Sequence, residues 1–154
     1  MTGKPVTPLV ACDALIEIGN RVLLIERRNP PHGLAVPGGY MDIGESAEQC
    51  AIREAREETG LDVELLALLG VYSDPRRDPR GQVITMVYVA RSAGQPVAGD
   101  DAGAIVMVDP ANPPPGLAFD HRRVLYDYVC YRRGEGPPAP ALMLDRLRRP
   151  ITQP

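Results

Sequence analysis

Stretches of apolar and β-prone residues recur along the chain, and segments rich in Gly, Pro and Asp separate them. Runs of this kind, bounded by turn residues, are typical of β-strands. The first two runs, residues 8–18 and 21–28, meet at the turn pair Gly19-Asn20, and this arrangement predicts a hairpin. Four further strands are predicted at residues 34–36, 63–72, 82–91 and 104–108.

One segment carries the residues that begin and end a helix. Ser46 and Gln49 have the spacing of a capping box, in which each side chain bonds the backbone of the other residue. Gly60 stands where a left-handed residue commonly ends a helix. Because neither Gly nor Pro occurs between these ends, a helix is predicted over residues 47–59.

A second helix is predicted over residues 121–133, near the end of the apolar pattern. Asp120 precedes it as the N-cap, and Gly134 follows it as the stop signal. Phe119 and Val124 have the spacing of a hydrophobic staple, a contact that fixes how the chain enters a helix. The chain beyond residue 136 is rich in Pro, so we expect one domain over residues 1–136 and a tail over 137–154.

Composition narrows the class of protein. The 154 residues fit one domain, and 44% hydrophobic with 24% charged residues is ordinary for a globular protein. Lys and Arg number 17 against 20 Asp and Glu, a net charge of −3, which excludes a strongly basic nucleic-acid-binding domain. No apolar run is long enough for a membrane span, and the N-terminus lacks a signal-peptide pattern. We therefore expect a soluble cytoplasmic protein.

Cysteine usage points the same way. The three cysteines, Cys12, Cys50 and Cys130, are far apart and form no CxxC pair. Neither a disulfide framework nor a structural zinc site is expected from this spacing. We expect buried thiols instead.

The predicted helix over residues 47–59 has an unusual face. At 100° per residue, one stripe of this helix contains Ala47, Cys50, Ala51, Glu54, Glu57 and Glu58. The stripe begins with small, core-facing residues and ends in three carboxylates, which suit a hard cation such as Mg²⁺ or Mn²⁺. A solvated charged face is the alternative, and an Arg53–Glu57 pair at i,i+4 would support it.

The residues around this helix carry a longer motif. Residues 39–61 read GYMDIGESAEQCAIREAREETGL and fit the pattern G-x5-E-x7-R-E-U-x-E-E-x-G-U, where U is apolar. The fixed positions are Gly39, Glu45, Arg53, Glu54, Glu57, Glu58 and Gly60, and the apolar positions are Ala55 and Leu61. With this motif the chain resembles the Nudix hydrolases.

The resemblance implies a fold, a reaction and a metal. The fold would be α/β, a mixed sheet sandwiched between helices, and the reaction would hydrolyse a nucleoside diphosphate linked to a group X. Glu54, Glu57 and Glu58, with the Gly38 carbonyl, would bind Mg²⁺ or Mn²⁺. Glu57 and Glu58 would thus be catalytic, and Arg53 would hold a glutamate in place through an ion pair. A Glu45 side chain would support the loop before the helix.

A second motif bears on the substrate. Residues 73–81 read SDPRRDPRG, with three arginines on a loop that two prolines stiffen. The segment resembles S-D-P-x-R-D-P-R-G of Nudix ADP-ribose pyrophosphatases, which cleave ADP-ribose to AMP and ribose 5-phosphate. Arg76 and Arg80 are the candidates for binding substrate, and Arg80 is favoured because Pro79 and Gly81 flank it. An ordinary solvated loop, with Arg77 as its third arginine, is the alternative.

Arg27 and Arg28 are further candidates for binding phosphate. They end the second predicted strand just before the loop of the motif, where Nudix enzymes often place a phosphate-contacting arginine. Because side chains alternate along a strand, we expect only one of the two to reach the substrate.

Two departures from the resemblance leave roles open. Leu34 stands where relatives commonly have an aromatic residue, and Ala104 stands where relatives often have a late-loop glutamate, a candidate general base. Asp100, Asp101 or a glutamate of the motif remains a candidate for that base.

Other side chains give weaker signals. Tyr40 or Tyr72 is expected to lie near the substrate and stack on a base, whereas Tyr126, Tyr128 and Tyr131 are expected to pack. The two histidines, one in a Pro-rich loop and one at a helix start, are expected to be structural or exposed.

The expected partner is a small nucleotide, with no nucleic acid and no membrane. A homodimer accords with the resemblance, because dimers are common among ADP-ribose pyrophosphatases, and the tail is expected to dock on the body or on a partner chain. Two rival functions remain: hydrolysis of an oxidised or ordinary nucleoside triphosphate, and non-catalytic sensing of ADP-ribose. A sensor of this type usually has an added DNA-binding domain and a degraded motif, neither of which is seen here.

Overall fold

The computed structural model describes residues 3, 5–100 and 102–135. Within these residues no helix is both long and apolar enough to cross a membrane. The strands are β1 (Leu9–Ile18), β2 (Arg21–Arg27), β3 (Leu34–Ala35), β4 (Gly38–Tyr40), β5 (Glu64–Tyr72), β6 (Val83–Arg91) and β7 (Ala102–Val108). The helices are α1 (Ala47–Thr59) and α2 (His121–Arg132). The predicted tail over 137–154 lies outside the described residues.

Strand β1 is the centre of a mixed seven-stranded sheet. It pairs in parallel with β6 along nearly its whole length, from Leu9↔Val83 to Glu17↔Arg91. Its other edge pairs antiparallel with β4 and then with β2, which confirms the predicted hairpin. The strand order is β3-β2-β1-β6-β5, and β7 adds to β2. The β1 edge opposite β6 is therefore divided between two partners, and the change of partner opens the sheet beside β4.

Two apolar clusters hold the helices against opposite faces of the sheet. Because side chains alternate along β1, Ala14 and Ile16 enter the cluster that contains Ala51 and Ala55 of α1. Leu15 points the other way and enters the cluster that contains Leu125 of α2. The sheet is thus sandwiched between helices, as the α/β prediction requires.

Helix α1 forms as its sequence predicts. The Ser46 side chain accepts a hydrogen bond from the Gln49 backbone, and the Gln49 side chain accepts one from the Ser46 backbone. Gly60 ends the helix with φ 68°, a left-handed conformation that glycine adopts without steric cost. Local sequence is sufficient here because both ends are encoded within the segment itself.

The start of α2 differs from the prediction. Asp120 occupies the N-cap position, but its side chain makes no capping hydrogen bond, because Arg77 occupies the carboxylate. Phe119 has φ 54° and packs against the α1 cluster, whereas Val124 belongs to the α2 cluster. The capping role of Asp120 and the hydrophobic staple were therefore wrong, since a tertiary ion pair and the left-handed backbone redirect both side chains.

The predicted strand boundaries differ from the structure in several places. Strand β4 is absent from the sequence prediction, because Pro37, Gly38 and Gly39 have low strand propensity and mark the end of the third predicted strand. Strand β7 begins at Ala102 rather than at 104, and β2 and α2 each end one residue early, at Arg27 and Arg132. Pairing with β1 makes β4 a strand, and a short local pattern does not reveal that pairing.

We expect truncation of Leu15 to test the two-sided core. Leu15→Ala should lower the free energy of unfolding by about 2–5 kcal/mol, because a fully buried side chain leaves a cavity. Ile43→Ala, at a fully exposed position, should change it by less than about 0.5 kcal/mol. Urea unfolding followed by circular dichroism gives both values, and equal losses at the two positions would contradict this packing.

Candidate active site

A cavity of about 240 Å³ opens where β4 and the second half of α1 meet the start of α2 and the 73–81 loop. Its lining combines carboxylates with guanidinium groups. The charged lining residues of the described chain are Asp13, Glu54, Glu58, Asp78, Arg27, Arg28, Arg77 and Arg80. Such a lining suits a ligand that carries both negative phosphates and a bound cation.

Two carboxylates of α1 enter this cavity one helical turn apart. The Glu58 carboxylate accepts a hydrogen bond from the Gly38 backbone N–H at 2.9 Å. The Glu54 carboxylate lies so close to Gly39 that a Cβ at that position would clash with it. Glycine at position 39 therefore lets Glu54 reach the backbone of β4.

Glu57 lies at the rim of this site and outside the cavity lining. Its side chain is 59% exposed and accepts a hydrogen bond from Arg53 Nη1 at 3.2 Å. The acidic residues of the stripe therefore lie in two different environments. Glu54 and Glu58 continue the buried face of α1, and the Arg53–Glu57 pair forms at its exposed edge.

Arg53 ties the loop before α1 to the acidic residues. Its Nε and Nη2 donate to the two oxygens of Glu45 at 3.0 and 2.7 Å, and its Nη1 donates to Glu54 at 2.7 Å. Nη2 also donates to the Tyr40 carbonyl at 3.0 Å. The hydrogen bonds from Arg53 lower the pKa of Glu45 to about 2. Arg53 therefore pairs with a glutamate of α1 and with one in the loop before it.

The carboxylates inside the cavity repel one another. The pKa of Glu58 is raised to about 8, mainly by burial and also by the charges of Glu54 and Asp13, while the Gly38 N–H opposes the shift. Burial likewise raises the pKa of Glu54, although Arg53 opposes this. A cation among these groups would offset their repulsion.

Oxygen donors are the ligands that Mg²⁺ and Mn²⁺ prefer, so the donor set fits either ion. Within the described residues, however, no three His, Cys, Asp or Glu side chains are grouped tightly enough to hold an ion without rotating. Arg53 Nη1 holds both Glu54 and Glu57 by hydrogen bonds, at 2.7 and 3.2 Å.

Asp13 is a cavity carboxylate that sequence reasoning missed. It lies on β1 opposite Gly38, and its side chain is only 9% exposed. His121 Nε2 is 3.4 Å from Asp13 Oδ2, and His121 Nδ1 accepts a hydrogen bond from the Val36 N–H at 3.0 Å. A usable signal was present, because an ionisable residue in the middle of an apolar central strand is rarely buried without a role.

Arg27 and Arg28 both line the cavity, which corrects the expectation that strand alternation would separate them. The strand ends at Arg27, and the pairing of β2 with β7 is irregular there, so strict alternation no longer applies. Arg27 Nε donates to the Pro31 carbonyl at 2.7 Å, and its guanidinium lies 4.8 Å from the Phe119 ring centroid. Arg28 donates to the Asp100 carbonyl.

The three arginines of the 73–81 loop have three different environments. Arg76 is 89% exposed in its side chain, pairs with Asp74 and lies outside the cavity lining. Arg77 is buried and donates to both oxygens of Asp120 and to Thr85. Arg76 and Arg77 are thus each held by an aspartate. Of the two arginines predicted to bind substrate from this loop, Arg80 lines the cavity and Arg76 does not.

Arg80 lies between two aromatic rings at the mouth of the site. Its guanidinium is 5.5 Å from the Tyr40 ring centroid and 5.4 Å from that of Phe119. Its Nε and Nη2 donate to Asp78 at 3.0 and 2.8 Å, which leaves Nη1 outside this ion pair. Sequence reasoning assigned Phe119 to a staple and so missed it as a cavity residue.

Several other candidate site residues lie away from the cavity or outside the described residues. Tyr72 is buried and its hydroxyl donates to Asp127, so of the two alternatives for stacking on a base, Tyr40 or Tyr72, it is Tyr40 that lines the cavity in the described chain. His32 is exposed, and within the described chain the tyrosines of α2 lie outside the cavity lining. Tyr128 is buried and Tyr131 packs against the α2 cluster as expected, whereas Tyr126 is 65% exposed, so its expected packing was wrong. Asp100 is exposed, and Asp101 lies outside the described residues, so neither is placed as a base.

Known proteins share this arrangement. The family model of the NUDIX domain matches residues 7–128. The ADP-ribose pyrophosphatase of Methanocaldococcus jannaschii is 45% identical over 130 residues, which cover 82% of this chain and 76% of that protein. The ADPR responsive transcriptional repressor NtrR of Acinetobacter baylyi is 32% identical over 113 residues, covering 68% of this chain and 45% of that protein.

The fold is shared with solved structures as well. The MutT NUDIX hydrolase of Burkholderia pseudomallei has a TM-score of 0.72 and 29% identity, covering 79% of this chain and 98% of that one. The mixed sheet between two helices is thus the fold of known Nudix hydrolases. The chain belongs to the Nudix family of hydrolases.

The buried ion pair between Arg77 and Asp120 should dominate the stability of the arginine loop. We expect Asp120→Asn to lower the free energy of unfolding by about 3 kcal/mol, because Arg77 is only 3% exposed and would keep an uncompensated charge. Asn serves equally well at an N-cap, so the helix end is not altered.

Asp74→Asn is the matched control, since it breaks an Asp–Arg pair in the same loop where the arginine is solvated. Its cost should be under about 1 kcal/mol in the same urea titration. Equal effects of the two substitutions would show that burial of Arg77 does not matter.

Proposed function

We propose that the protein is a Mg²⁺-dependent pyrophosphohydrolase that cleaves ADP-ribose to AMP and ribose 5-phosphate. The observation that carries this proposal is the single cavity that holds Glu54 and Glu58 of α1 together with Arg27, Arg28 and Arg80. A diphosphate needs both elements, because a cation and guanidinium groups neutralise its charge jointly.

Three glutamates and one carbonyl are proposed to hold the metal. Glu54, Glu57 and Glu58 would supply carboxylate oxygens, and Gly38 would supply its carbonyl. When bound, the ion polarises phosphoryl oxygens and lowers the pKa of a bound water. Arg53 orients Glu54 and Glu57 through the hydrogen bonds described above, so its role is to position these carboxylates.

The basic part of the cavity is proposed to bind the diphosphate. Arg27, Arg28 and Arg80 line it, whereas the exposed Arg76 is left out of this role by its position. Tyr40 and Phe119 flank Arg80 and present ring faces on which a nucleobase stacks. Similarity to the M. jannaschii ADP-ribose pyrophosphatase supports ADP-ribose as the substrate.

Two rival functions share these features. A nucleoside triphosphate also needs a cation and arginines, so the cavity alone does not separate it from ADP-ribose. An ADP-ribose sensor would bind without hydrolysis, as the similarity to an ADPR responsive repressor suggests. The complete set of motif glutamates favours an enzyme, because a sensor does not need metal-dependent chemistry.

Cellular location and assembly are proposed on separate grounds. We propose a cytoplasmic protein, supported by the three free cysteines. A homodimer is proposed on the resemblance alone, and docking of the tail is proposed on its short apolar and basic stretch ALMLDRLRR. Sedimentation of the full chain and of a chain ending at residue 136 would test both.

Glu58→Gln should nearly abolish hydrolysis while the fold remains intact. Loss of a metal-ligating charge should lower kcat by about 10²–10³-fold or more, several kcal/mol of transition-state stabilisation. Glu57→Gln should act in the same direction. The measurement is release of AMP from ADP-ribose at saturating Mg²⁺, with thermal unfolding as a check of folding.

Glu64→Gln, an exposed glutamate of β5 paired with Arg91, is the control and should keep full activity. Thermal stability of the Glu58 variant without metal should hold or rise, because repulsion with Glu54 is relieved. If both motif variants turn over at the rate of the unmodified protein, the metal assignment fails.

Arg80→Ala should weaken hydrolysis of ADP-ribose. We expect kcat/KM to fall by the equivalent of about 1.5–3 kcal/mol, the range for hydrogen bonds to charged groups. Arg76→Ala, in the same loop but exposed, should leave kcat/KM unchanged. Because Arg80→Ala also leaves the buried Asp78 unpaired, Arg80→Lys is the second variant; it retains the charge and loses the planar fork.

The same assay with a nucleoside triphosphate decides among the rivals. A higher kcat/KM of the unmodified protein for the triphosphate would overturn ADP-ribose as the substrate and leave the hydrolase assignment standing. Binding of ADP-ribose without release of AMP would identify a sensor.

A further inference from the structure

We propose that Asp13 is an additional ligand of the divalent cation, contributed by the central strand of the sheet and held in position by His121. The proposal rests on the metal site proposed above and extends it from α1 to β1. The cation would then be clamped between a helix and a strand.

The backbone register brings Asp13 to the site. In the antiparallel pair of β1 and β4, Asp13 stands directly opposite Gly38. Because Gly38 has no side chain, the Asp13 carboxylate folds over its backbone, and a Cβ at position 38 would clash with Oδ1 of Asp13. Glu58 reaches the same residue from α1 and accepts its N–H. Two carboxylates from different elements thus meet at one residue.

His121 is oriented so that it can hold Asp13 but cannot replace it as a ligand. The Val36 backbone N–H donates to His121 Nδ1, so Nδ1 is an acceptor and the ring proton is on Nε2. Nε2–H faces Asp13 Oδ2 at 3.4 Å. A protonated nitrogen does not bind a metal, so the imidazole is a positioning group for the carboxylate.

Asp13 keeps its capacity to accept further partners. The 3.4 Å contact is longer than a well-formed hydrogen bond, and the side chain lines the cavity although it is nine-tenths buried. A buried carboxylate of this kind is costly unless a cation or strong donors compensate it.

The cavity arginines supply little of that compensation. Arg77 is paired with Asp120 and Arg80 with Asp78, while Arg27 and Arg28 donate to backbone carbonyls. The charge of Arg27 lowers the pKa of Glu58, but within the described residues Arg27 forms no ion pair with Glu58 or Asp13. These contacts leave Asp13 and Glu58 as the carboxylates most in need of a cation. A divalent ion beside Gly38 answers this need, because it takes oxygen ligands from several elements at once.

Binding of Mn²⁺ alone to the full-length protein tests the proposal without any substrate. Free Mn²⁺ is measured by electron paramagnetic resonance, and thermal unfolding in EDTA reports folding. Asp13→Asn should weaken Mn²⁺ binding by about 10–100-fold, the range seen when groups around a metal are changed. The same variant should unfold in EDTA at an equal or higher temperature, because one of the crowded charges is gone.

Asp78→Asn is the matched control. It removes one negative charge from the same cavity, but its partner is Arg80. Its Mn²⁺ affinity should stay within about threefold of the unmodified protein. His121→Gln should weaken Mn²⁺ binding less than Asp13→Asn does, because Gln retains a donor for the carboxylate.

Three outcomes separate the hypotheses. If Asp13→Asn leaves the Mn²⁺ affinity unchanged and Glu58→Gln lowers it, Asp13 is a structural partner of His121 and this proposal is overturned. If Asp13→Asn and Asp78→Asn weaken binding equally, the effect is one of general charge, and the proposal also fails. If Glu58→Gln retains full Mn²⁺ affinity, the proposed metal site itself is wrong.

Discussion

The close approach of carboxylates to the Gly38-Gly39 backbone is the constraint on which the site depends. Asp13 occupies the space beside Gly38, Glu54 that beside Gly39, and Glu58 bonds the Gly38 N–H. Any side chain at these two glycines would displace an acidic group. The approach also requires β4 to pair with β1, because that pairing brings the glycines within reach of α1. The sheet topology and the site geometry are therefore inseparable.

The repulsion among the carboxylates near Gly38 and Gly39 is offset only in part by positive charges of the protein. Arg53 offsets part of the repulsion by bonding Glu45, Glu54 and Glu57 at once, and it also anchors the loop before α1 through the Tyr40 carbonyl. Glu58 lacks such a partner, and burial raises its pKa to about 8. The acidic group is thus only partly compensated by the protein, which is the arrangement expected where a cation completes the site.

On the basic side of the cavity, ion pairs and aromatic contacts hold the arginines in position. Arg77 forms an ion pair with Asp120 and donates a hydrogen bond to the Thr85 hydroxyl, and so holds the 73–81 loop against the start of α2. With the loop fastened, Arg80 is held between two aromatic rings, and its conformational entropy is reduced before any ligand arrives. Phe119 has a left-handed backbone conformation immediately before α2, and its ring lies beside the Arg80 guanidinium.

Local sequence by itself determined the elements whose signals lie within a few residues. Helix α1, its capping box and its Gly60 end, the β1–β2 hairpin and the acidic motif all follow from short-range spacing, which fixes the direction of side chains along a helix or strand. The family and its hydrolase class also follow, because seven fixed positions of one motif are matched and the family model confirms it.

Only the tertiary structure decided which polar groups meet. Asp13 and His121 are distant in sequence, and their contact depends on β1 and α2 packing in one fold. The capping role of Asp120 was lost to Arg77, and Arg76 and Arg80, alike in sequence, differ because only one of them faces the cavity. Strand β4 likewise exists because β1 supplies its hydrogen bonds. A local pattern specifies where a side chain points on its own element, but long-range packing determines what that side chain finds there.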